Sequence, residues 1–122
     1  MIRFRELEVW KEAKQIALAV YELTERFPDR EKFGLISQIQ RAAISVASNI
    51  AEGSGRQHKK EFIHFLHLAR GSLFELLTQI EISTELGLIN EDDFDDLNER
   101  CVTLTKRLNS LINSLREDNK NH

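Results

Sequence analysis

Four stretches of this 122-residue chain place apolar residues at alternating steps of four and three. The first runs Val9, Ala13, Ile16, Val20, Leu23 and Phe27; the second Ile36, Ile39, Ala43, Val46 and Ile50. The third runs Phe62, Leu66, Ala69, Leu73, Leu76 and Ile80; the fourth Leu97, Cys101, Leu104, Leu108, Leu111 and Leu115. Only a helix brings residues three and four apart onto one face, whereas a half-buried strand needs alternation by two. A repeat near 3.5 residues keeps each stripe turned toward its neighbours, as in coiled coils and near-parallel bundles. The pattern therefore predicts an all-α, up-down-up-down antiparallel four-helix bundle, with 1–122 as a single domain.

Helix-ending residues fall between the stripes. Pro28 disfavours helix at Phe27 and closes the first segment. Asp29 or Gly34 opens the second. Gly53-Ser54-Gly55 interrupts the middle and reads as a flexible connection. Gly87 suits the left-handed position at a helix C-terminus, and Asn90 suits an N-cap. Glu91, Asp92 and Asp93 complement the positive end of the fourth helix. The expected helices span about 6–27, 35–53, 57–86 and 91–116, with boundary errors of about 2–4 residues. The tail 118–122 is expected to fray. With one proline and five glycines, long helices are unobstructed.

A net charge of −3 and a pI near 5.8 argue against a chain that binds nucleic acid over its whole surface. A lone Cys101 rules out an internal disulfide and suits a reducing, cytoplasmic compartment. No signal-peptide pattern and no membrane-spanning run is expected.

The charges are unevenly placed. From residue 40 to 70 there are five Lys/Arg against two acids; from 81 to 99 there are eight acids and no Lys or Arg. Arg56, Lys59 and Lys60, with His58 among them and Arg41 and Arg70 on the same side, form a candidate RNA or DNA contact at the corner between helices two and three. The alternative is a solvated loop. Helix two is slim at Ala42, Ala43, Ala47 and Ala51, so a neighbour can approach closely. Its other side, Arg41, Ser45, Ser48 and Glu52 with Asn49 at the edge, is either a solvated face or a buried polar pairing.

No catalytic, cofactor or metal site is expected. Glu61 and His64 have the spacing of a di-iron ligand pair, but no second pair exists. His64 and His67 fall off the seam, toward the surface. Cys101 lies in the seam with no base to activate it. The acids at 91–96 lack the pattern of a calcium loop. A second stripe on helix three, Ile63, His67, Arg70, Phe74 and Leu77, and one on helix one, Trp10, Ala17 and Tyr21, are candidates for contact between copies of the chain. They would otherwise widen the core.

Two segments carry a family resemblance: SQIQRAAISVASNIAEGSGR at 37–56 and KKEFIHFLHLARGSLFEL at 59–76. With LEVWKEA from Leu7 and FPDREKFGL from Phe27, they resemble the four-helix-bundle family encoded in intervening sequences of bacterial 23S rRNA genes. The resemblance covers about 7–115. It implies a homopentameric ring, no assigned enzymatic activity, and kinship with accessory proteins of diversity-generating retroelements, which associate with a reverse transcriptase and with nucleic acid. Arg41, Asn49, Glu52, Arg70 and Glu75 match the family pattern and are expected to include a buried or interfacial polar network. The chain departs from the pattern at Gln40, which removes a charge, and at Ala47, where many members carry proline. The expected function is a non-enzymatic homo-oligomeric scaffold or adaptor whose partners are its own copies or another protein; the rival is an RNA- or DNA-associated accessory protein.

Overall fold

The computed structural model describes residues 3–31 and 33–120, and for 119–120 the backbone alone. Four helices, α1 (Glu8–Thr24), α2 (Leu35–Ser54), α3 (Lys59–Glu85) and α4 (Glu91–Lys120), form an antiparallel bundle. Short 3-10 turns at Phe4–Glu6 and Asp29–Glu31 precede α1 and α2. Each helix packs on the next, and α4 closes back on α1; α2 with α3 is the most extensive pairing and α1 with α4 the least. Going round the bundle, the α1–α2 edge therefore lies opposite the α3–α4 edge.

The stripes on α1 and α3 are buried at every position, including Phe27, although α1 ends earlier than Pro28 alone would require. Ile39, Leu66, Leu73, Leu76, Ile80, Leu104 and Leu108 are sealed from solvent. Burying such a side chain contributes about 1.5–3 kcal/mol, so these residues dominate stability. The fourth stripe needs one correction. Ile112, not Leu111, follows Leu108 into the core, and Leu111 packs at its edge. On α2, Ile36 is likewise only half-buried.

Helix ends follow the local chemistry. Gly87 takes φ +80°. The Leu88 N–H donates to the Ser83 carbonyl at 2.9 Å and the Gly87 N–H to the Thr84 carbonyl at 3.0 Å, closing a Schellman motif that side chains with a Cβ would strain. Asn90 Oδ1 accepts from the Asp93 N–H at 2.8 Å and caps α4. That helix runs on to Lys120, beyond the expected end near 116; Asn121 and His122 lie outside the described residues. α2 is unbroken through Ala47. Gln40 is tied to α1, its Nε2 donating to Thr24 Oγ1 at 3.0 Å, while that hydroxyl donates to the Val20 carbonyl.

The interruption at 53–55 is not a flexible connection. Gly53 and Ser54 are the last residues of α2, both buried. A Cβ on Gly53 would stand 2.6 Å from Phe65 Cβ and 3.0 Å from Phe62 Cδ1. The missing side chain is what lets the ends of α2 and α3 touch, continuing the close approach begun at the buried Ala42 and Ala43.

Cys101 sits fully buried in the seam of α4. Burial pushes its thiol up to about 12, against a smaller opposing influence of Arg100. It should react with a thiol reagent slowly in the native protein and rapidly after unfolding; fast native labelling would contradict this register. Cys101→Ser should destabilise by about 1–3 kcal/mol in a denaturant titration, because the hydroxyl gains no assured partner.

Candidate functional site

The corner between α2 and α3 holds two of its cations, Arg56 and Lys59, in pairs. Arg56 Nη2 lies 2.6 Å from Glu52 Oε1 and Nη1 lies 3.9 Å from Glu61 Oε2. The same guanidinium stacks 4.8 Å from the centre of the Phe65 ring. Lys59 reaches Asp118 near the end of α4 at 3.2 Å. Lys60 and Arg41 are exposed. Exposed pairs like these are worth about 0–1 kcal/mol each, yet they offset the charge that a phosphate would seek. Glu61, one half of the Glu-x-x-His spacing, is turned to Arg56, while exposed His64 stands edge-on to Phe65 at 5.8 Å.

Arg41 and Arg70 do not share a side. Arg41 lines an open groove on the α1–α2 edge with Tyr21, Phe33, Ile36, Gln40 and Ile44. Arg70 points across to α4. The five motif residues therefore do not form one network. Asn49 donates to the Ser45 carbonyl within α2, at 2.9 Å. Glu52 is taken by Arg56, and Glu75 is exposed.

Arg70 instead anchors a separate cluster in the α3–α4 groove. Its Nη1 donates to Asn109 Oδ1 at 2.6 Å, and its Nη2 lies 2.8 Å from His67 Nδ1. Arg116 approaches the other side of the ring, Nη2 to His67 Nε2 at 3.1 Å. His67 and Arg70 are half-buried and Arg116 is exposed. Burial, then Arg70, Arg116 and His64, hold His67 below the ordinary imidazole range. After burial, the charged groups that act on the ring are thus all basic. Sequence reasoning singled out His67 and Arg70 but missed Asn109 and Arg116. The available signal was their spacing of seven, each one residue past a core position, Leu108 and Leu115.

The candidates for contact between copies divide. Trp10, Ala17, Ile63 and Leu77 are partly buried and pack on the core, so they do widen it. Trp10 also meets Phe4 edge-on at 5.1 Å. Tyr21, 41% exposed, and Phe74, 50% exposed, remain on the surface. Tyr21 belongs to the α1–α2 groove, with Ile44 and Phe33. Phe74 lies one helical turn beyond Arg70, and exposed Val102 lies seven residues before Asn109, so both stand on the α3–α4 edge. No helix among the described residues is long and apolar enough to cross a membrane.

Residues 5–110 match the family model for 23S rRNA-intervening sequence proteins. Among solved structures, the chain is similar to a protein of unknown function from the S23 ribosomal protein family of Bacteroides thetaiotaomicron VPI-5482. The TM-score is 0.80 at 23% identity, covering 85% of this chain and 97% of that chain. At that identity the likeness is one of fold. A search of curated proteins found no match.

Proposed function

The chain belongs to the 23S rRNA-intervening sequence protein family, and from that premise we propose that it is a non-enzymatic scaffold that assembles with copies of itself into a closed ring, most simply a pentamer. The observation that carries this reading is the placement of exposed apolar side chains on two opposite, unlike edges. Tyr21, Phe33 and Ile44 cluster on the α1–α2 edge, and Phe74 and Val102 on the α3–α4 edge. Leu18, Leu68, Ile82 and Leu86 stand apart from both, as isolated surface apolar residues commonly do. Joining unlike edges makes a heterologous interface, and a heterologous interface that closes makes a ring. The high pKa of Cys101 keeps that thiol protonated and supports a non-catalytic reading.

The rival reading, an RNA- or DNA-associated accessory protein akin to those of retroelements, drew on Arg56 and Lys59. Their pairing with Glu52, Glu61 and Asp118 leaves the scaffold reading better supported.

Light scattering coupled to size exclusion should give a mass near five times the 14.2 kDa of one chain. A mass of one chain, unchanged with concentration, would overturn the assembly, and a dimer would overturn the ring.

A further inference from the structure

A neutral imidazole carries one N–H donor and one acceptor nitrogen. Guanidinium groups only donate. Both nitrogens of His67 nevertheless face an arginine, Arg70 at 2.8 Å and Arg116 at 3.1 Å. Whichever tautomer His67 adopts, one of these contacts sets donor against donor. Protonation does not relieve it, because imidazolium donates from both nitrogens. Two guanidiniums are thus held on either side of one ring with a single acceptor between them. Asn109 satisfies one N–H of Arg70, and neither arginine forms an ion pair among the described residues. This differs from the α2–α3 corner, where Arg56 and Lys59 each have a carboxylate.

We propose that Arg70, Arg116 and His67 form a binding site for a phosphate-type oxyanion in the α3–α4 groove. An oxyanion supplies the acceptors that the cluster lacks and the negative charge that two arginines require. Arginine suits it because its planar fork matches phosphate oxygens and makes strong charge-assisted hydrogen bonds. Donors arriving from two helices favour a tetrahedral anion over a planar carboxylate, since its four oxygens point in separate directions. Protonated His67 adds a third positive charge beside the two guanidiniums, so the bound anion and the ring proton stabilise one another. The groups acting on His67 are Arg70 and His64 from α3 and Arg116 from α4, while neutral Asn109 of α4 bonds Arg70. Binding therefore strengthens as pH falls through the titration of His67. The phosphate group is either free or carried on a nucleic-acid backbone.

The test is an NMR titration of the His67 ring in the full chain. One arm contains inorganic phosphate, a second a short single-stranded RNA, and the reference contains chloride at equal ionic strength. Phosphate should raise the His67 pKa by about one unit, corresponding to roughly tenfold tighter binding to the protonated ring. Arg116→Gln, at an exposed position, should abolish most of that rise while leaving helical content unchanged. Arg56→Gln should leave the rise intact. A rise with inorganic phosphate identifies a free anion as sufficient, and a rise with RNA alone identifies the backbone as the source. An unchanged His67 titration in both arms, or an equal rise in Arg116→Gln, overturns the proposal.

Discussion

Phe74→Glu is expected to reduce the assembly to single chains while leaving the helical circular-dichroism signal largely intact. Phe74 stands outside the buried core. It is half exposed, on the outer side of α3, so its removal opens little of the bundle core. A glutamate at an exposed helical position changes chain stability by about 0.5 kcal/mol or less. At an interface the same carboxylate must be desolvated without a partner, at a cost of several kcal/mol. Each junction of a ring repeats that cost, so the loss should be complete at micromolar concentration. Tyr21→Glu, on the opposite edge, should do the same, because a heterologous junction needs both surfaces. If Phe74→Glu unfolds the chain, Phe74 is a core residue. If the mass is unchanged, that edge is not the interface.

Gly53→Ala and Gly71→Ala should shift stability in opposite directions, though both replace glycine within a helix. Alanine is preferred to glycine in a helix interior by about 0.8–1.0 kcal/mol. Beyond its chain neighbours and its own helix backbone, Gly71 has no heavy atom within 4 Å of where a Cβ would stand, so that preference should appear as a gain of about this size. At Gly53 the new Cβ would lie 2.6 Å from Phe65 Cβ, and also 3.3 Å from the Phe62 carbonyl oxygen. Neither neighbour is the free end of a flexible side chain, so α2 and α3 must separate. Overpacking of this kind costs about 1–3 kcal/mol. The net effect should be a loss of up to about 2 kcal/mol for alanine and a much larger loss for Gly53→Val. Chemical denaturation of the two variants measures the difference directly. A stabilised Gly53→Ala would mean that the corner is looser than the structure describes.

Much of the fold was legible in the sequence because helix periodicity is a local property. Val9 through Phe27 and Phe62 through Ile80 could be assigned to the core from spacing alone. Gly87 and Asn90 announced their roles because a left-handed backbone and an orphan N–H each select a small set of residues. What spacing does not encode is which helix stands beside a given face. Leu111 and Ile112 are adjacent apolar residues about 100° apart on the helix. Either continues the stripe, and the fuller α3–α4 pairing, compared with α1–α4, decides for Ile112.

The same limit governed the polar residues. Gly53 read as a linker because closeness between α2 and α3 is a property of two helices rather than of one. The charge count at 40–70 suggested a basic patch, but Asp118, distant in sequence, folds back to Lys59. Arg70 was recognisable as a motif residue, yet its partner Asn109 lies 39 residues further along the chain, and Arg116, which meets His67, lies 49 residues beyond that ring. By itself, then, the sequence determined four amphipathic helices, their ends and nearly all of their buried faces, through interactions spanning a turn or two. Only the tertiary structure decided which charges are neutralised and which are left facing one another, because electrostatic pairing depends on distance in space and the chain specifies that distance only once the helices have packed.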